Sequence, residues 1–353
     1  MLEIHKLNIE ELSQNEKKDM EEILAKSKDA TVFHTIEWNK ILTTIFKRKN
    51  ITFVAKIDGK PIGFYILYES QDSGPRTIYK SPETSLETVY GGPLVINGTK
   101  DEDVIKSRLI KQVEFEAKST IVQISFPPGA NTQFLRKLEY RSTPFYTSIL
   151  DLARNEEELW ANLHQKTRNL IRKSQRSGLE IIMDGRPYLP KYYEMVRETL
   201  GSQGVRVLPK KFYEEVIDSL EPKNMAKLVI AVYDGKAISG AIFLFYKDTV
   251  YYWHGASFRD HKSVAPNQSI QWELIKYANQ NGYKKYDLLN IEPDRLPGIA
   301  RFKIRFGGET KLYYRAVYKT PAYSIPLLAY CIRHPSYLYG RVKSKLIRLK
   351  INR

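Results

Sequence analysis

The stretch AKIDGKPIGFYILY, residues 55–68, has a counterpart in AVYDGKAISGAIFLFY at 231–246. In each, an apolar strand runs into Asp-Gly-Lys and a second apolar strand runs out. Asp-Gly between such strands predicts a tight hairpin, because Gly59 and Gly235 can adopt φ > 0 without a Cβ clash. Ile62 and Ile238 both stand four residues past the Asp, and the two copies then slip by one residue, as Gly63 and Gly240 show. The pair suggests a duplicated unit, and the flanking order supports it.

A chain of 353 residues is natural for two domains, and 42% hydrophobic residues with 12% aromatics are enough for real cores. No apolar run reaches the roughly 18 residues that would span a bilayer. The charged N-terminal stretch lacks the apolar core of a secretory signal. The single cysteine, Cys331, excludes an internal disulfide framework and a cysteine-based zinc cluster. The six histidines are scattered without ligand spacing, so no metal is expected. A cytoplasmic protein is the simplest expectation. The formal net charge is +16, and the last acidic residue is Glu309. The basic end beyond it favours phosphate-rich partners, either RNA or an anionic membrane surface. A solvated tail without a partner reads the same way.

Each half reads in one order: a strand, two helices, a strand pair, a further strand, a helix, a strand, a short helix and a last strand. The expected fold is α/β, with mixed sheets and flanking helices in two tandem related domains. The divisions are 1–152, 153–319 and a basic C-terminal extension, 320–353, which either docks on the body or lies along a membrane interface.

That order of elements is the one found in the GNAT acyltransferase fold. Residues 159–178, LWANLHQKTRNLIRKSQRSG, resemble the basic helix that opens the second domain of FemAB-type peptidyltransferases. YYWHGASF, a helix containing Gln271 and Trp272, GYKKYDLLNI and GIARFKIRFGG follow in that family's order. FHTIEW at 33–38 and YGGPLV at 90–95 resemble family strings in the first half. The resemblance covers roughly residues 30–318. It implies a tandem GNAT-like architecture and acyl transfer to an amine. In Fem-type enzymes the transfer runs from aminoacyl-tRNA to the stem peptide of a peptidoglycan precursor. The long helical arm of many such enzymes has no counterpart here, and GPLVING lacks the Asp expected after the GP pair.

The resemblance points to Lys303 as the group at the reaction centre, where an ammonium stabilises developing negative charge, with Phe302 beside it as a substrate contact. Read from residues alone, Arg301, Lys303 and Arg305 alternate with Phe302, Ile304 and Phe306, which on a strand would align three cations on one face. A solvated basic strand or helix end fits the same pattern. His254 is a candidate general base for the acceptor amine, or a histidine with a structural hydrogen bond. Tyr252 is a candidate cleft-lining aromatic by resemblance. Trp38 is a substrate-binding candidate by resemblance and a core residue by its helical stripe. Arg168, Arg172 and Arg176 recur every four residues without acids between 166 and 176, a stripe suited to phosphates or simply an exposed basic face. Arg206 is a candidate clamp for an acceptor carboxylate or phosphate. Asp287 stands near a strand end and also reads as a turn residue.

Acyl-CoA enzymes of this fold cradle pyrophosphate on a glycine-rich loop at a helix start. The corresponding loop, FRDHKSVAPNQS, has no glycine. The leading reading is therefore an N-acyltransferase that uses aminoacyl-tRNA and a nucleotide-linked or lipid-linked anionic acceptor, with no bound cofactor. An acyl-CoA-dependent N-acyltransferase is second, and a non-catalytic RNA- or membrane-binding protein is third.

Overall fold

The computed structural model describes residues 1–47, 49–70, 78–80, 89–117, 121–202 and 207–319. Arg206 and the extension 320–353, with Cys331, lie outside the described residues. The first half contains β1 (Leu2–Leu7), α1 (Gln14–Lys26), α2 (Ile36–Phe46), β2 (Asn50–Ile57), β3 (Lys60–Ser70), β4 (Ile78–Lys80), β5 (Leu94–Val95), α3 (Glu102–Ala117), β6 (Ile121–Ser125) and β7 (Arg141–Asp151). The second contains α4 (Glu156–Asn162), α5 (Gln165–Arg176), β8 (Glu180–Ile182), α6 (Leu189–Gly201), α7 (Lys210–Leu220), β9 (Ala226–Tyr233) and β10 (Lys236–Tyr246). It ends with β11 (Thr249–Ser257), α8 (Pro266–Gln280), β12 (Lys285–Asp287), α9 (Pro297–Ile304) and β13 (Glu309–Lys319).

Both Asp-Gly hairpins form. Asp58 and Gly59 have φ of 49° and 76°, and Asp234 and Gly235 have 48° and 70°. Two successive positive φ angles twist the turn to match its strands. The duplication extends to an irregularity. In β2–β3 the register passes from Ala55↔Gly63 to Lys56↔Pro61, leaving Ile62 as the extra residue. In β9–β10 it passes from Ala237↔Val232 to Ser239↔Ala231, leaving Ile238 as the extra residue. Each half thus carries a β-bulge at its matching isoleucine.

The strands form one sheet in the order β1-β2-β3-β4-β6-β13-β7-β12-β11-β10-β9-β8, with β5 added on β3. The order is a pseudo-mirror about the β13–β7 pair. The last strand of each half leaves its own half: β13 lies between β6 and β7, and β7 lies between β13 and β12. The cut near residue 152 in sequence is therefore not a cut in the sheet.

Strand alternation sends residues to two faces. On β9 and β10, Leu228, Ile230, Ile242 and Leu244 join a core shared with Val54, Phe64 and Ile66 of the first half. Helices α1, α2, α6 and α7 cover this face, so one core spans both halves. The opposite face carries two separate cores. Phe243 and Phe245 pack with α8 residues in one, and Phe53, Tyr65 and Leu67 pack with α3 residues in the other.

Two local expectations change. The basic stretch 156–177 is two helices, α4 and α5, because Leu163 turns extended (ψ 141°) and the His164 side chain caps the next helix by accepting the Lys166 N–H at 3.1 Å. RFKIRF is not a strand. Pro297 at the first position starts α9, which runs through Ile304. Helical periodicity turns Lys303 inward, away from the exposed Arg301, so the three cations do not share a face.

Candidate active site

Strands β11 and β12 run parallel but pair over only three positions, Thr249↔Lys285, Val250↔Tyr286 and Tyr251↔Asp287. Beyond these pairs they part, and the candidate site sits where they part. Immediately after β12 the backbone enters the left-handed region at two successive non-glycine residues, Leu289 (φ 49°) and Asn290 (φ 30°). That conformation is unfavourable for a leucine. It aims both carbonyls at one point. The Lys303 ammonium occupies that point, donating to Leu289 O at 2.6 Å and to Asn290 O at 3.0 Å.

Lys303 is only 8% exposed. Its Nζ also stands 5.6 Å from the centre of the Tyr252 ring, within cation–π range. Burial lowers its pKa to about 8, while the charges of Asp287 and Glu292 pull in the opposite direction. An ammonium has three donors, and the two carbonyls use two of them.

Asp287 is buried at the end of β12. Its carboxylate accepts from the Tyr90 hydroxyl at 2.9 Å, from the Thr147 hydroxyl of β7, and from the Leu289 N–H at 2.8 Å. Burial raises its pKa, and the bonds to Thr147, Leu289 and Tyr90 act against that rise. Tyr313 of β13 donates to the Asn290 side-chain oxygen at 2.5 Å. Its ring meets Tyr90 edge-on at 5.3 Å. Tyr90, Thr147, Asp287, Lys303 and Tyr313 thus form one cluster drawn from both halves.

The structure places the sequence candidates as follows. Tyr252 and Phe302 stand at the site, with ring centres 6.5 Å apart. Tyr252 folds back over Gly255, where a Cβ would lie 2.1 Å from its hydroxyl oxygen. His254 points elsewhere. The break in β10–β11 pairing between Ile242 and Phe243 leaves Trp253 as an extra residue, and His254 enters the core beneath α6 and α7. There its Nδ1 is 2.7 Å from the Tyr192 hydroxyl, and the Tyr213 hydroxyl lies 3.4 Å from Nε2. Burial depresses its pKa to about 4. These contacts fit the structural hydrogen-bonding role rather than the general-base role.

Trp38 is fully buried, edge-on to Phe33, Phe212 and Trp253 at 5.3, 6.2 and 5.4 Å. Its place is in the core that joins the halves. Arg168 bonds to the carbonyls that end α4, at 2.7 Å from Ala161 O and also to Leu163 O. Arg172 lies over the Trp160 ring at 5.3 Å. Of the expected arginine stripe, Arg172 and Arg176 remain exposed, while Arg168 closes a helix end.

At the start of α8, Ala265 takes φ 53°, the conformation a glycine would usually serve, and the Arg259 N–H donates to Glu198 Oε1 at 3.0 Å.

Sequence reading did not identify Thr147, Leu289, Asn290 or Tyr313. Tyr90 was visible only as part of the YGGP string. No local pattern marks a left-handed Leu-Asn pair, so only the three-dimensional contacts reveal it.

This is a tandem GNAT-like fold with a buried lysine at the strand splay of its second half. Residues 161–303 match the family described as Acetyltransferase (GNAT) domain. Lipid II:glycine glycyltransferase of Staphylococcus haemolyticus is 21% identical over 208 residues, covering 41% of this chain and 50% of that protein. The Staphylococcus epidermidis protein of the same name is 32% identical over 124 residues, covering 33% of this chain and 27% of that one. The chain spans about half the length, or less, of these curated relatives. Among solved structures, FemX superposes with a TM-score of 0.68 at 15% identity, covering 88% of this chain and 96% of its own. A tandem GNAT protein from the clavulanic acid pathway gives 0.56 at 11%, covering 90% and 98%. Residues 161–303 thus resemble a GNAT acetyltransferase domain, and the chain shares its fold with FemX.

Proposed function

We propose that this protein is an N-acyltransferase that moves an aminoacyl group from aminoacyl-tRNA to an amine of a cell-envelope precursor. The seat of Lys303 is the observation that carries the reading. In such a transfer a neutral amine attacks the ester carbonyl carbon. The ester C–O bond then breaks, and the tRNA 3′-oxygen leaves with a proton. Charge accumulates on the carbonyl oxygen in between. A buried ammonium fixed by two backbone carbonyls is a preorganised donor for that oxygen. A pKa of about 8 keeps it mostly protonated at neutral pH. Tyr252 and Phe302 supply apolar walls that exclude water from the same point.

The curated relatives are named for glycyl transfer to lipid II, which supports a lipid-linked muropeptide as acceptor. No helix among the described residues is long and apolar enough to cross a membrane. The basic sequence of 320–353 suits contact with the anionic surface around a lipid-linked acceptor.

The test supplies the full chain with radiolabelled glycyl-tRNA, or a mixed aminoacyl-tRNA pool, and either UDP-linked or lipid-linked muropeptide. Label on the muropeptide, slowed about 100- to 1,000-fold by Lys303→Ala, is the expected result. Transfer from acetyl-CoA, with stoichiometric acetyl-CoA binding by calorimetry, would overturn the donor assignment. No transfer from either donor, together with tight RNA or vesicle binding, would favour a binding protein.

A further inference from the structure

We propose that Asp287 is the positioning residue of this site: it holds the left-handed Leu289–Asn290 turn whose two carbonyls seat Lys303. It does so under the control of two hydroxyls from the first half. The inference rests on the reading of Lys303 as the catalytic group.

The argument starts from what the turn requires. Leucine in the left-handed region is unfavourable because its Cβ crowds the following carbonyl oxygen. Two such residues in a row persist only where the surroundings over-determine them. Asp287 provides that constraint from inside the turn, because its Oδ1 accepts the Leu289 N–H at 2.8 Å. This side-chain-to-backbone bond, two residues on, is the geometry by which an Asp fixes a following turn.

The carboxylate is itself clamped. Thr147 on β7 also donates to Oδ1, and Tyr90 donates to Oδ2 at 2.9 Å. Four elements therefore converge on one buried side chain: β12, the turn after it, β7, and the segment leading to β5. Tyr90 is 197 positions away in sequence and Thr147 is 140. The strand exchange explains how they arrive, since β7 pairs directly with β12 through Ile149↔Asp287.

Among the described residues Asp287 makes no hydrogen bond to Lys303, whose Nζ bonds the Leu289 and Asn290 carbonyls. Its effect passes through the turn and through its charge, which raises the lysine pKa against burial. Loss of Tyr90 or Thr147 would loosen a lysine whose hydrogen bonds run to the Leu289 and Asn290 carbonyls.

The test compares Asp287→Ala with Asp287→Asn in the full chain. Asparagine can still accept the Leu289 N–H; alanine cannot. Crystal structures should show Leu289 out of the left-handed region in the alanine variant, with Lys303 Nζ beyond hydrogen-bond distance of both carbonyls. An unchanged turn and lysine in that variant overturns the proposal. With glycyl-tRNA and lipid-linked muropeptide as probes, Asp287→Ala should lose about 100-fold in kcat, with KM within about threefold. Asp287→Asn should recover at least about tenfold of that loss. A loss confined to KM, or equal losses in both variants, also overturns it.

If the alanine variant does not fold, Thr147→Val, which removes a hydroxyl clamp from Oδ1, decides the turn. Leu289 leaving the left-handed region with Lys303 Nζ off its carbonyls is expected, and an unchanged turn and lysine overturns the proposal. The asparagine variant tests the charge coupling. The pH midpoint for acetylation of Lys303 by acetic anhydride, followed by peptide mass spectrometry, should fall below the midpoint of the unsubstituted protein measured alongside, because the Asp287 charge raises the lysine pKa. An unchanged midpoint overturns the coupling. If Lys303→Ala leaves transfer intact, the catalytic reading fails, while the structural comparison still decides the role of Asp287.

Discussion

Tyr252 lies over Gly255 so closely that a methyl group at Gly255 would stand 2.1 Å from the tyrosine hydroxyl oxygen and 2.9 Å from Cζ. The glycine is therefore the floor on which this aromatic wall of the lysine site rests. Gly255→Ala is expected to push Tyr252 off Lys303 without altering the lysine or its carbonyl partners. Overpacking of this kind costs about 1–3 kcal/mol. Transfer activity should fall by at least about tenfold, because a displaced wall admits water and loosens the acyl group. Activity and melting temperature measured together check it. Full activity in a well-folded Gly255→Ala protein would remove Tyr252 from the site.

The pH dependence of turnover distinguishes an ammonium donor from a lysine base. Lys303 loses its proton near pH 8 in the folded protein. A donor role requires the charged form, so kcat should decline as pH rises through about 8. A base role requires the opposite slope. Folding does not confound this. Between about 8 and the ordinary 10.5 the unfolded chain holds the proton and the folded chain does not, so this group's contribution to stability increases with pH. The alkaline loss should therefore appear in kcat while the melting temperature shows no matching fall from this residue. Lys303→Ala should lack that limb and run about 100- to 1,000-fold slower.

Acid sensitivity has a different source. His34 and His254 are both buried, and burial lowers each from the ordinary 6.5 to about 4. The unfolded chain takes up these protons first as pH falls. Stability is fully present above about 6.5 and is lost toward about 4, by roughly 3 kcal/mol per histidine. Thermal melts at pH 7 and pH 5 should differ markedly. His254→Gln should reduce the difference, at some cost at pH 7 from the altered contacts with Tyr192 and Tyr213. An unchanged pH slope in His254→Gln would show that the histidine is not buried neutral.

The strand exchange makes a prediction about the halves. We propose 1–152 and 153–319 as the two units of the chain, but each contributes a central strand to the other. Alone, the first unit lacks β13 between β6 and β7, and the second lacks β7 between β13 and β12. Both would expose apolar sheet edges and half of the shared core. Each expressed singly should be insoluble or molten, whereas co-expression should yield a folded complex with the circular dichroism of the intact chain. A cooperative melt from either half alone would argue against the exchange.

What the sequence determined by itself is local. Two Asp-Gly turns, their shared isoleucine offset and the repeated order of elements are short-range patterns, set by φ preference and by alternation along a strand. They sufficed for the hairpins, the duplication and the α/β class. The strings FHTIEW, YGGP, YYWHG and RFKIRF marked the segments that meet near the centre. The roles of single residues were not local. Lys303 looked like one of three aligned cations, until the helix begun by Pro297 turned it inward. His254 looked like a base on a site-facing strand, until one extra residue at Trp253 sent it to the opposite core. Tyr90, Thr147 and Asp287 carry no common pattern, because the bonds joining them span 140 and 197 positions. Only the exchange of β7 and β13 brings them together. Pairing between distant strands is chosen by burial across the whole sheet, so the site it builds is a property of the tertiary structure.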